Sequence, residues 1–325
     1  MRQKMIGNSS LSFKTIRSVS CGIISCLILA MTNGVTAQNL TPIRAAYVPV
    51  ATWLPAWVAK EKGIFKNNGL DVTLTPIQNV SLLPPTMGKQ FDVAASTPPD
   101  LIKAAANGID VVAITGGVVE SSSHMSMQFV VKKNAGINSI KDLSGKTIAT
   151  PTIGSIMHLA TLTWLKKNGV DPNSIRAVEV PFPNMVDQLK GSRVDALELL
   201  QPFVGQILSQ PEFMTLGDPL LSVDDPTLFV MWIANGTWAK NNKEAVMKWS
   251  QSIAEAKEFI EKNSAESRAI LGKYTNLPPA VTEKIPLPYY DASIKSSQIE
   301  VWVKALRDIG ALNLPVDPNK IVFKN

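Results

Sequence analysis

The chain has 325 residues, 45% of them hydrophobic and 18% charged, with a mean hydropathy of +0.10. That composition supports about two folded domains with apolar cores and excludes a disordered chain. The 32 bases and 26 acids give net +6 with no long basic run, which argues against nucleic acid as a partner, and two Cys and two His are too few for a Cys/His zinc site, an iron–sulfur cluster or a disulfide scaffold.

Residues 1–18 carry Arg2, Lys4, Lys14 and Arg17 and no acid. An apolar run from Val19 to Met31 follows, and then the small-x-small site Val35-Thr36-Ala37. This pattern predicts a signal peptide over 1–37, cleaved after Ala37, and hence a periplasmic protein. The alternative, an uncleaved anchor, meets an apolar run shorter than the ~20 residues a bilayer requires. Ile23-Ile24-Ser25-Cys26 has a faint look of a lipoprotein site, yet Leu27 to Met31 carry the apolar run past it. Cleavage removes both Cys and leaves 28 bases against 26 acids, so the mature chain is nearly neutral and without thiol chemistry. It contains no second membrane segment.

The mature chain alternates strand and helix. Ile43–Val48 reads as a strand and Pro55–Lys62 as a helix; Asp71–Thr75 and Phe91–Ala95 are strands, Pro99–Asn107 a helix and Val111–Thr115 a strand. The order recurs with strand Lys146–Thr150, helix Ser155–Lys167, strand Ile175–Val180, short helix Met185–Leu189, strand Arg193–Leu199 and helix Pro202–Ser209. Such alternation predicts α/β sheets with parallel strands. The copies align residue by residue. Gly88-Lys89-Gln90-Phe91-Asp92 matches Gly191-Ser192-Arg193-Val194-Asp195 at an offset of 103, which Pro99/Pro202 and Ala46/Ala149 keep. Asn68-Gly69-Leu70-Asp71 matches Asn168-Gly169-Val170-Asp171 at 100.

Two similar α/β lobes follow: 38–124 plus 234–325, and 125–233. The extended apolar segments Met125–Val131 and Thr227–Ile233 read as paired crossover strands, a hinge at about 125–131 and 227–233. After Ala234 the chain is mostly helical. Val246, Trp249, Ile253, Ala256 and Ile260 form one apolar stripe, and a last helix runs over about Ser297–Asp308. These helices are expected to pack on the first lobe.

Catalytic patterns are lacking. There is no G-x-G-x-x-G and no G-x-S-x-G, and Gly88-Lys89 and Gly145-Lys146 lack the upstream glycine of a phosphate loop. His124 after Ser121-Ser122-Ser123 reads as a polar turn rather than a nucleophile with its base, and neither His has a second at ligand spacing. No metal, cofactor or catalytic residue is expected.

In open α/β sheets ligands bind at the carboxyl ends of strands, where helix N-termini present unpaired N–H groups. Four places qualify. Thr52 and Trp53 follow the first strand. Ser96 and Thr97 precede Pro98-Pro99. Thr152, Gly154 and Ser155 open the helix of the second lobe, with His158 in its first turn and off its packed face. Gln201 ends a buried strand beside Pro202; Glu198 on that strand either pairs with a protein base or accepts from a ligand amine. None of these places contains Arg or Lys, so an anion there would be held by dipoles and hydroxyls.

Ala59 to Val72 reads AKEKGIFKNNGLDV; Gly88–Val93, Asp142-Leu143-Ser144-Gly145-Lys146-Thr147-Ile148-Ala149, Gly154-Ser155 and Gly191–Ala196 follow in order. In these motifs the chain resembles the periplasmic substrate-binding proteins of ABC importers, of the nitrate/sulfonate/taurine and thiamine-precursor type, over about 40–320. The resemblance implies a bilobed type II periplasmic binding protein that binds a small ligand between lobes and delivers it to an inner-membrane permease. It implies a monomer and no enzyme. The rivals are an enzyme on the same fold, of pyrimidine-precursor or chorismate-processing type, and a periplasmic sensor. One departure is Gln201, where the family often has an acid before the proline. That weakens amine recognition of the taurine kind and favours another small anion, a sulfonate or carboxylate. Trp53, Phe203 and Trp232 would suit a flat ring.

Overall fold

The computed structural model describes residues 39–324; the signal peptide expected over 1–37 lies outside the described residues. Strand β1 (Thr41–Tyr47) runs into a 3-10 turn and α1 (Leu54–Glu61), whose Pro55 occupies a first-turn position where a missing N–H costs nothing. Then come α2 (Ile64–Asn67), β2 (Leu70–Pro76), β3 (Val93–Ser96), α3 (Pro98–Ala106) and β4 (Val111–Glu120). The second lobe comprises β5 (Met127–Lys132), β6 (Thr147–Thr150), α4 (Ile156–Lys167), β7 (Arg176–Glu179), α5 (Phe182–Lys190), β8 (Ala196–Leu200), α6 (Phe203–Leu208) and β9 (Phe213–Gly217). The chain returns through β10 (Thr227–Asn235) to α7 (Gly236–Asn241), α8 (Lys243–Lys262), α9 (Ser264–Thr275), α10 (Pro279–Thr282) and α11 (Ser296–Asp308).

Two five-stranded sheets have one topology. The first is ordered β2-β1-β3-β10-β4 and the second β7-β6-β8-β5-β9. In each, the first three strands are parallel and the fourth is antiparallel to both neighbours. The offset of 103 reproduces the register: Ala46 lies opposite Ala94, and Ala149 opposite Leu197. The repeated aspartates have one job. Asp92 Oδ2 accepts from Arg44 N at 2.9 Å, and Asp195 Oδ2 accepts from Thr147 N at 2.8 Å. Each carboxylate satisfies an amide one residue before the ladder between the two strands begins, at Ala45–Val93 in one sheet and Ile148–Ala196 in the other.

The crossover strands do not pair with each other. β5 lies in the second sheet and β10 in the first. Each is the strand that has just arrived from the other lobe. Both are apolar on both faces because each is flanked by two strands and covered above and below. The lobes are joined instead by the short connections 121–126 and 218–226.

The C-terminal helices pack on the first lobe as expected. α8 lies along α1, with Asn68 Nδ2 donating to Ser252 Oγ at 3.1 Å, and Trp249 stacks on Phe65 at 4.9 Å. α11 covers α3 and also reaches α4, and Trp302 Nε1 donates to Leu228 O at 2.8 Å. The outer edge of β4 is capped by later chain: Ala113 bridges Val322 and Val118 bridges Tyr290, which closes an edge open to foreign strands. Gly116 permits that approach, since a Cβ there would lie 2.1 Å from Ser293 O.

Candidate functional site

A cavity of about 90 Å³ lies between the sheets at the carboxyl ends of their parallel strands. By the measure in which one water takes at least ~10–15 Å³, that is room for one small organic molecule. The first lobe contributes Thr52 and Trp53 after β1, Asn79 and Ser81 after β2, and Thr97 and Asp100 at the start of α3. The second contributes Thr152, Ser155, Ile156 and Met157 at the start of α4, Phe182 at the start of α5 and Leu200 at the end of β8. Phe229 and Val230 of β10 form the back wall. Neither Lys nor Arg lines the cavity, and Asp100 is its one ionisable group.

The start of α4 is rich in donors. Ser155 is the N-cap, its Oγ accepting from His158 N at 3.5 Å. Gly154 takes φ +81°, a conformation open to glycine, and so turns the chain into the helix. Three amides of this turn are occupied: Ile153 N donates to Glu179 Oε1 (2.8 Å), Gly154 N to His158 Nδ1 (3.0 Å) and Ser155 N to Thr152 O (3.1 Å). The N–H groups of Ile156 and Met157 find no acceptor among the described residues, and both residues line the cavity.

The start of α3 is different. Pro98 and Pro99 fill its first two positions and bring no N–H. Thr97 Oγ1 donates to Asp100 Oδ2 at 2.6 Å and accepts from Asp100 N at 3.4 Å. Burial pushes the Asp100 carboxyl up, against the opposing pull of the Thr97 and Ser81 hydroxyls and the charge of Lys103. Across the cleft the lobes touch: Asn79 Nδ2 donates to Thr152 Oγ1 at 3.3 Å, and Lys103 Nζ to Gly154 O at 3.2 Å.

Of the residues singled out in the sequence, Thr52, Trp53, Thr97, Thr152 and Ser155 line the cavity; Ser96, Gly154, His158 and Gln201 do not. Ser96 is buried in β3 beside Thr97 O. His158 faces neither cleft nor solvent; it is buried, and its Nδ1 serves the Gly154 amide, which places the proton on Nε2. Burial, aided by the charge of Lys103, lowers its pKa. Gln201, joined to Pro202 by a cis peptide, accepts from Gly205 N at 3.2 Å and caps α6. Glu198 has no base. It is fully buried beside Thr150 and Thr161, and burial, against the pull of those two hydroxyls, pushes it up to about 7.

Of the three rings expected to suit a flat ligand, Trp53 reaches the cavity. Trp232 is wedged between Trp53 (4.8 Å) and Trp249 (5.0 Å), and Phe203 stacks on Phe182, which itself lines the wall. Asn79, Ser81, Asp100, Ile156, Met157, Phe182 and Phe229 also line the cavity and were not singled out. Phe182 follows a strand's carboxyl end, the same signal used for the others; Asn79 sits in a loop with no pattern. Ser123 Oγ and His124 Nδ1 do lie 3.0 Å apart, but in the exposed turn of the first connection and not in the cavity.

A family model described as NMT1/THI5-like matches residues 51–267, more than half the chain. The chain belongs to the NMT1/THI5-like family. Among curated relatives, a protein of Brucella abortus (strain 2308), named only provisionally as a binding protein, is 24% identical over 90% of this chain and 93% of its own length. A protein of Brachyspira hyodysenteriae, provisionally an ABC transporter periplasmic binding protein, is 28% identical over 41% of this chain; the match spans 38% of that relative's length. Two solved structures share the fold of this NMT1/THI5-like chain. The periplasmic aliphatic sulphonate binding protein SsuA of Escherichia coli superposes with TM-score 0.73 at 17% identity, covering 87% of this chain and 97% of that one. The periplasmic nitrate-binding protein NrtA of Synechocystis PCC 6803 gives 0.70 at 14%, covering 86% and 84%. The fold is thus that of the bilobed periplasmic binding proteins.

Proposed function

We propose that this chain is a solute-binding receptor of an ABC import system. It is exported through a cleaved leader, takes a small organic molecule into the cavity between its lobes, and hands it unchanged to a membrane permease. The observation that carries this reading is the cavity itself: two lobes of one topology meet over a space walled by Trp53, Phe182 and Phe229 and facing two unsatisfied amides, Ile156 N and Met157 N. Aromatic walls suit a flat or aliphatic body, and free first-turn amides suit an oxygen acceptor. The provisional names of the relatives, and the sulphonate and nitrate binders that share the fold, support the same class. Ligand binding favours the form in which the lobes touch.

The acceptor end fits a carboxylate or sulfonate held by these amides and the Ser155 hydroxyl. With no Lys or Arg on the wall, the amides, hydroxyl and helix dipole do all of the holding. Asp100 favours a second reading, a ligand that also presents an amine to the opposite wall. A thermal-shift screen of matched aliphatic and aromatic compounds, each as carboxylate, sulfonate, amine and zwitterion, separates the two. A binder at one hundred times its Kd adds ~2.7 kcal/mol of stability. Carboxylates and sulfonates raising Tm supports the first reading, and zwitterions alone the second. No shift from any organic compound, or turnover of the binder, contradicts the receptor assignment.

A further inference from the structure

The two connections between the lobes each begin with a buried acid. Glu120 is the last residue of β4 and Asp218 the first after β9, and they are 0% and 5% exposed. Glu120 folds back over its own connection. Its Oε2 accepts from Ser126 N at 2.7 Å and its Oε1 from the Ser126 hydroxyl, which gathers 120–126 into a closed loop. Asp218 does the same on the return. Its Oδ1 accepts from Leu220 N at 2.8 Å and caps the 3-10 turn Pro219–Ser222. Asp218 Oδ2 is buried without a donor, and the group it meets is the Glu120 carboxyl.

Among the described residues nothing positive faces either acid. Glu120 is met by Ser126 and the Met127 amide from the first connection and by Asp218 from the second; Asp218 is met by Leu220 N and by Glu120. The other tie between the connections, Ser122 N to Asp225 Oδ1 at 3.2 Å, is exposed. Two carboxylates in contact, out of water and with no counter-charge, cannot both ionise without a large Coulombic and desolvation cost. One proton removes the conflict and supplies the missing donor. Glu120 already accepts two hydrogen bonds as a carboxylate, so the proton belongs on Asp218 Oδ2, donating to Glu120.

We propose that Glu120 and Asp218 share one proton that staples the two interlobe connections together, making the hinge a pH-responsive joint that is held at neutral and acid pH and loosens when the proton is lost. This goes beyond ligand binding and does not depend on which ligand is bound. Burial first, and the Glu120 charge second, push Asp218 up to about 9; burial also raises Glu120, against the pull of the Ser126 hydroxyl and amide. Removing the shared proton at high pH sets two anions against each other where the lobes pivot. Because few residues absorb the rotation, loosening there changes the balance between open and closed lobes.

The test is a 13C titration of the carboxyl groups in aspartate-labelled protein, without ligand, read beside amide hydrogen exchange at Ser126 and Leu220. The Asp218 signal, assigned in the wild-type chain through its own backbone resonances, should be that of a protonated acid at pH 7 and titrate on the alkaline side. Corrected for the intrinsic pH dependence of exchange, protection at Ser126 should fall roughly tenfold for each unit of pH beyond that titration. Asp218→Asn supplies a permanent N–H donor in place of the proton and should keep its protection across the same range. An Asp218 carboxyl already ionised at pH 7 overturns the shared proton. Ser126 protection that ignores the titration overturns the joint. Both readings come from the wild-type chain, so a variant that fails to fold leaves them in force.

Discussion

The start of α3, after the third strand of the first sheet, and the start of α4, after the second strand of the other, line the same cavity from opposite lobes, yet their chemistry is opposite. α4 opens with two amides that have no acceptor among the described residues and with the Ser155 hydroxyl, all on residues that line the cavity. α3 has two prolines where those amides would be, and a buried carboxyl bonded to its own N-cap. In the site proposed above, the strand ends set where a ligand would sit, while the first four residues of each helix set what it would have to offer. One wall offers donors and the other a carboxyl. A molecule lying between them would be oriented by that difference.

Substitutions at these starts sharpen or break the comparison. The largest effect is expected from Ser155→Trp, which fills the cavity from the donor wall. Binding of any compound found by thermal shift should weaken at least about a hundredfold, ~2.7 kcal/mol, read by calorimetric titration, while the unliganded chain loses no more than the lost N-cap costs, about 1 kcal/mol, read by thermal melts. Retained binding would mean that the donor wall is not where the ligand rests.

The lobes also differ in how they bury an acid. Asp100 takes a 2.6 Å hydrogen bond from the Thr97 hydroxyl, whereas Glu198 has no such close bond among the described residues. The folded-state pKa of Glu198, about 7, stands above its ordinary 4.5. The folded chain therefore binds more protons than the unfolded one between those values. This group's contribution is full below pH 4.5 and is lost as pH rises to about 7, a difference on the order of 3 kcal/mol. Glu198→Gln should flatten that part of the stability-against-pH curve in denaturant melts. An unchanged slope would place the proton elsewhere.

Smaller effects come from the caps. Ser155→Ala should cost about 1 kcal/mol of stability and weaken binding of an acceptor ligand several-fold, with both seen in one thermal-shift series. Pro99→Ala gives α3 one of the amides it lacks. It should tighten a carboxylate or sulfonate only slightly, at a stability change of about 0.4–1 kcal/mol from the freer unfolded chain. Equal responses of the two helix starts to matched substitutions would erase the asymmetry.

Much of the fold was legible because the repeat is physical. Asp92 and Asp195 stand at one offset because each satisfies the same stray strand amide. The pairing of the crossover strands was not legible. β5 and β10 are apolar on both faces, so nothing in their pattern names a neighbour, and the correct partners lie in opposite sheets. Of the residues that line the cavity, Thr52, Thr97, Thr152 and Ser155 were legible by one rule, since each follows a strand. His158 and Gln201 were misplaced because a polar side chain near a helix start has two uses. Here both serve local amides, Gly154 N and Gly205 N, and never reach the cavity. Glu198 looked too costly to leave unpaired, and it is unpaired.

The most direct measurement is a crystal structure of the full chain with the compound that gives the largest thermal shift. The account predicts that compound intact between the lobes, an acceptor atom on the Ile156 and Met157 amides and its body against Trp53, Phe182 and Phe229. A compound seated outside that cavity, for example in the groove beside α11, or one recovered chemically altered, would contradict it.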